Sequence, residues 1–161
     1  MKLKGKVTII TGASGGIGSF TSKKLLEEGS KVVLVGRNKN KLKKFLEELD
    51  DDNNTLSITS DVAHESEVLN VIEQTISAFD KIDILVNCAA TINDPVPFHL
   101  MTEDQWNNLI NVNIKGTFQP IKGVIPIMME QNSGNIINIS SLLGMRAIPD
   151  VPFSVYVVTL A

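Results

Sequence analysis

Apolar residues follow two alternating rhythms along this chain. Short runs rich in β-branched residues recur, and longer stretches between them place apolar side chains at helical spacing. Val7, Ile9 and Ile10 make the first short run, residues 31–35 (KVVLV) the second and residues 56–59 the third. Ile84, Leu85 and Val86 are the fourth, and residues 135–139 (NIINI) the fifth. Each has the length and composition of a buried strand. After the first run, Ile17, Thr21 and Leu25 share an i, i+4 row backed by Phe20, which Gly29 closes. Residues 38–49 carry Leu42, Phe45, Leu46 and Leu49 on one face, and residues 65–79 carry Val68, Val71, Ile72, Ile76 and Phe79. Thr102 and Gln105 make a capping box that opens a long helix through Trp106, Leu109 and Ile110, which Pro120 and Pro126 are expected to kink or split. Strands alternating with helices predict an α/β fold built on a parallel, doubly wound sheet.

Composition narrows the classes. At 161 residues the length fits one domain, residues 1–161, with a real core. A formal net charge of −3 with no basic stripe gives no footprint for nucleic acid or an anionic membrane. The single cysteine, Cys88, excludes an internal disulfide framework and fits a reducing compartment, so a cytoplasmic protein is expected. No apolar run approaches membrane-spanning length. The acidic triplet Asp50-Asp51-Asp52 sits in a polar break without ligand spacing, so no metal site is read there.

The chemistry concentrates where the first strand becomes the first helix. Residues 11–18 read Thr-Gly-Ala-Ser-Gly-Gly-Ile-Gly. Glycines at such a junction let the backbone turn sharply and let a pyrophosphate approach, while the helix N-terminus offers free N–H groups and partial positive charge. Gly12, Gly16 and Gly18 give G-x-x-x-G-x-G rather than the common G-x-G-x-x-G. The end of the second strand carries the other signal. An acid there usually accepts from the adenosine ribose 2′-hydroxyl. Gly36 stands in its place and Arg37 follows, a charge suited to phosphate.

With Thr11 the turn becomes T-G-x-x-x-G-I-G, and here the chain resembles the classical short-chain dehydrogenase/reductase family. Asn87-Cys88-Ala89-Ala90 resembles that family's Asn-Asn-Ala-Gly, with Cys88 and Ala90 as departures, and Asn111 to Gly116 resembles its N-x-x-G element. The resemblance implies a Rossmann-like sheet of order 3-2-1-4-5, stopping at five strands with an exposed fifth edge. It covers nearly all of this chain but only the N-terminal two-thirds of a family member. Cofactor contacts carried over are Thr11, Gly12, Ser14, Gly16, Ile17, Gly18, Arg37, Asp61, Asn87 and Ala89; Asp61 would lie by the adenine, or else cap the helix that follows. The Gly36–Arg37 pair implies NADP(H) over NAD(H). Asn113 takes the tetrad position that holds a relay water, Ser141 bonds the substrate oxygen, and Tyr156, the only tyrosine, is the acid/base. The implied activity is hydride transfer between nicotinamide and a carbonyl or secondary alcohol, on a small-molecule substrate; full-length family members would be homo-oligomers, and the state of this chain is left open. The loop of residues 91–100 is a candidate substrate wall.

The lysine expected four residues after Tyr156 is replaced by Leu160. Without that cation the phenol keeps its ordinary pKa of about 10, so a nucleotide-binding or interaction module without catalysis is the second reading. A third reading rests on Gly12-Ala13-Ser14-Gly15-Gly16, which also matches the G-x-S-x-G of serine hydrolases, with Asp61 or Asp83 and then His99 downstream.

Overall fold

The computed structural model describes residues 1–51, 53–144 and 159. Its sheet consists of β1 (Val7–Thr11), β2 (Lys31–Gly36), β3 (Thr55–Thr59), β4 (Ile84–Asn87) and β5 (Asn135–Asn138), in the order β3-β2-β1-β4-β5. Every pairing is parallel, with Val7 opposite Lys31 and Thr8 opposite Ile84. This is the expected doubly wound, Rossmann-like topology. Parallel neighbours need crossover helices, and these cover both faces of the central strands. β1 is accordingly buried along its whole length.

Two cores result. On one face Ile10, Val32, Leu34, Ile84 and Val86 pack against α1 (Gly16–Glu27) and α2 (Lys39–Leu49), through Leu25, Leu26, Leu42 and Phe45. On the other, Ile9, Val33, Val35 and Leu85 meet α3 (Glu65–Phe79) and α5 (Gly116–Glu130), through Val68, Val71, Ile72, Val124 and Met128. β5 is the exposed edge, with Ile137 47% accessible. Among the described residues no helix is long and apolar enough to cross a membrane.

Two expectations need correction. The apolar row predicted for α1 reaches the core only through Leu25, while its first members point outward: Ile17 is 61% and Phe20 65% exposed. Gly18 and Ser22 face inward instead, and the Ser22 hydroxyl donates to Gly18 O at 2.8 Å. Small residues bring the helix start close to the strand ends, and that rotation turns Ile17 and Phe20 outward. The long helix after Thr102 is also not continuous. The capping box forms, with Gln105 N donating to Thr102 Oγ1 and Thr102 N to Gln105 Oε1. Helix α4 (Glu103–Leu109) then widens into a π-helical turn, Ile110–Lys115, before α5 begins. Both prolines lie inside α5, which continues through them. The break comes at Asn113, whose side chain is drawn out of the helix to bond other segments; one extra residue per turn accommodates this.

Candidate functional site

The C-terminal end of β1 fixes the geometry. Thr11 is buried, and its Oγ1 accepts from Cys88 N and Ala89 N, both at 3.1 Å, so the glycine turn is tied to the end of β4. Gly12 has φ +64°, and a Cβ there would stand 2.9 Å from the Ala89 backbone. A Cβ on Gly18 would collide with the Gly12 carbonyl oxygen. These two positions need glycine for the protein's own fold. The turn is closed by Gly15 N donating to Gly12 O at 2.9 Å. No side chain caps α1 and its first turn carries no carboxylate, so its N–H groups and partial positive charge face outward from the strand ends.

A cavity of about 300 Å³ opens beside this turn. Gly12, Ser14 and Gly15 form one end, Gly36 and Arg37 the other, and Cys88 and Ala89 the far wall. Ser60 also lines it; this residue is buried and its hydroxyl has no hydrogen-bond partner among the described residues. Buried polar groups are nearly always paired, so this hydroxyl is open to a water or a polar ligand in the cavity. Asp61 stands in an adjoining cavity with His64, and its Oδ2 lies 3.9 Å from Arg37 Nη1. It does not cap α3: its Oδ1 accepts from Ala63 N at 3.0 Å, and the N-cap of α3 is His64. Burial pushes the Cys88 thiol up to about 11, which keeps it protonated and unreactive at neutral pH.

Ala89 is shared with a second cavity of about 360 Å³, lined by Asn87, Asn113, Asn138 and Ser140 among others. Asn87 Nδ2 donates to Asn138 Oδ1 at 2.9 Å, and its own Oδ1 has no partner among the described residues. Asn113 is buried in the π turn. Its Oδ1 accepts from Thr91 N at 2.8 Å, while Nδ2 donates to Thr91 O at 3.0 Å and Thr159 Oγ1 at 2.9 Å. Ser141 Oγ accepts from Leu143 N at 3.2 Å, closing a local turn.

The structure thus brings Gly12, Ser14, Arg37 and Ala89 around one cavity, with Thr11 behind it, and Asn87 and Asn113 around the next. Gly16, Ile17 and Ser141 do not line either cavity. Tyr156 and Leu160 lie outside the described residues. No hydrogen bond among the described residues joins Ser14, His99 and an aspartate. Asp83 is committed at the opposite end of the sheet to Lys6 and Lys81, so the hydrolase constellation is not assembled. Sequence reasoning missed Ser60, Lys41 and Val112 as cavity residues. Ser60 sat in view beside Asp61, and only its lack of a partner marks it.

Comparison with known proteins agrees with this geometry. The sequence model of the short chain dehydrogenase family matches residues 6–157. An uncharacterized oxidoreductase of Staphylococcus saprophyticus is 40% identical over 151 residues, covering 91% of this chain and 63% of that protein. One from Staphylococcus aureus is 38% identical over 145 residues, covering 89% and 62%. The chain therefore spans less than two thirds of the length of these relatives. Among solved structures, NAD+-bound xylitol dehydrogenase superposes with a TM-score of 0.93 at 29% identity, covering 99% of this chain and 61% of that one. The 3-ketoacyl-(acyl-carrier-protein) reductase of Brucella melitensis, complexed with NADH, gives 0.88 at 29% identity, covering 98% and 65%. A glycine turn in this setting, on this strand order, with a family match over nearly the whole sequence, leaves one assignment: the chain belongs to the short-chain dehydrogenase family.

Proposed function

We propose that residues 1–161 are one dinucleotide-binding domain of an NADP(H)-dependent oxidoreductase acting between a carbonyl and a secondary alcohol. When bound, the nicotinamide cofactor supplies or accepts the hydride. The site fits that group on three counts. The glycine turn leaves the backbone bare where a diphosphate must approach, the start of α1 lacks an acid, and the orphan Ser60 hydroxyl lines the same cavity. In this reading Thr11, Gly12, Gly16 and Gly18 shape the turn, Ser14 lies by the phosphates and Ile17 stands exposed at the helix start. Asp61 borders the adenine, and Asn87 and Ala89 border the nicotinamide half. Asn113 belongs to the proton relay, Ser141 orients the substrate oxygen and Tyr156 exchanges its proton.

The observation that carries the NADP(H) preference is the end of β2. Gly36 and Arg37 open on the same cavity as the glycine turn, so the wall that usually holds a ribose-binding acid presents a cation instead. NAD+ and NADH belong to the two similar structures that hold them; the Gly36–Arg37 wall is what favours the 2′-phosphate here. Gly36→Asp tests it. The nearest neighbour of a Cβ at Gly36 is the Leu42 side chain, at 3.5 Å, an ordinary contact, so a side chain can start there without a backbone clash. Calorimetric titration should show NADPH binding tighter than NADH to the native chain. The variant should lose about tenfold or more in NADPH affinity, about 1.4 kcal/mol, and hold or gain NADH affinity. Tighter NADH binding by the native chain would overturn the preference, and absence of NADPH oxidation across a carbonyl panel would overturn the activity.

A further inference from the structure

We infer that Lys41 is a second cation for the cofactor's 2′-phosphate, and that it shares the discrimination against NADH with Arg37. The inference rests on the NADP(H) reading above. Arg37 is divided between two cavities: it borders the glycine-turn cavity, but its guanidinium also faces Asp61 at 3.9 Å and lines the adjoining space beside His64. A guanidinium held by a carboxylate gives only part of its charge to a ligand on its other side. Lys41 lines the glycine-turn cavity and not the adjoining one. Among the described residues it forms no ion pair.

The local sequence is costly for a helix without such a ligand. Asn38 caps α2, and its Oδ1 accepts from Lys41 N at 2.9 Å, which places Lys41 in the first turn. That turn carries Lys39 and Lys41 and no acid, whereas α3 and α4 begin with Glu65 and Glu67, and with Glu103 and Asp104. Cations at a helix N-terminus oppose the macrodipole. A phosphate monoester carries about −1.5 to −2 charges at neutral pH, so it would reverse this penalty by meeting the helix end, Lys41 and Arg37 together. Ser60, buried and with a hydroxyl that has no partner among the described residues, lines the same cavity, and a polar ligand there would supply one.

Isothermal titration of the full chain with adenosine 2′,5′-bisphosphate and with AMP reads the adenosine end alone. Lys41→Gln should weaken the bisphosphate about 3–10-fold, the range of a single partly exposed charge pair, and leave AMP unchanged. Lys41→Arg should retain most of the bisphosphate affinity. Equal weakening of both ligands would overturn the inference, because the charge would then act without regard to the 2′-position. An unchanged Lys41→Gln alongside a weakened Arg37→Ala would overturn Lys41 and leave the NADP(H) reading standing. Native protein that binds AMP as tightly as the bisphosphate would overturn both.

Discussion

At the scale of single residues, the glycine turn divides into positions the fold needs and positions it does not. A Cβ on Gly18 runs into a backbone oxygen, while a Cβ on Gly16 meets nothing within 4 Å. Gly18→Ala should therefore cost about 1–3 kcal/mol, as overpacking does, and lower Tm by roughly 3–10 °C. Gly16→Ala should leave Tm within about 2 °C, since alanine favours the start of a helix. A thermal melt of the two variants checks the pair, and equal loss in both would mean that contact with the Gly12 oxygen is not what restricts the turn. The spacing of these glycines was legible in the sequence because its cause is local backbone geometry. The orientation of Ile17 and Phe20 was not, because helical periodicity does not reveal that the closest approach to the sheet runs through Gly18 and Ser22. Lys41 and Ser60 escaped for another reason: they come from different βα segments and meet only across the folded cavity.

At the scale of elements, all five strands could be read from short apolar runs, and the order followed from the family resemblance. The π turn could not. Trp106, Ile110 and Ile114 keep i, i+4 spacing across the turn, and nothing in that spacing records that Asn113 reaches out to Thr91. The structure makes this asparagine the pin between the helix pair and the loop that follows β4. Replacing it by leucine, which has the same branching but more bulk, should leave Thr91 N–H without its acceptor. Hydrogen exchange at that amide should accelerate about tenfold or more, the equivalent of losing roughly 1.4 kcal/mol of local protection, with β1 and β2 amides unaffected. Unchanged exchange at Thr91 would show that the segment is held by packing alone.

At the scale of the whole molecule, the sheet has two differently built ends. The C-terminal ends of the strands leave backbone bare around the cavities. The N-terminal ends are tied by Asp83, which is buried and accepts from Lys6 Nζ at 2.8 Å and Val7 N at 2.9 Å, with Lys81 Nζ 2.9 Å away. Burial alone would push this carboxyl up, but Lys6, the Val7 N–H and Lys81 together outweigh it and hold it below the usual carboxylate range. A carboxyl lowered in the folded state contributes stability that is complete above its unfolded pKa of about 3.9 and is lost as pH falls through the folded value. Asp83→Asn should therefore be less stable than the native chain at pH 7, by about 1.5–3 kcal/mol, and the gap should close as the pH falls below about 4. Denaturant titrations at several pH values measure both parts, and a gap independent of pH would remove Asp83 from the acid response. The strand order carries one more consequence. β1 leaves the ribosome first yet ends at the centre of the sheet, with β2 on one side and β4 on the other. Its second neighbour is synthesised only after α2, β3 and α3, so a nascent chain that has already joined β1 to β2 still carries an open apolar edge. For that interval of translation a strand that is fully buried in the finished molecule lies at an open edge, and the chain is in need of a chaperone then.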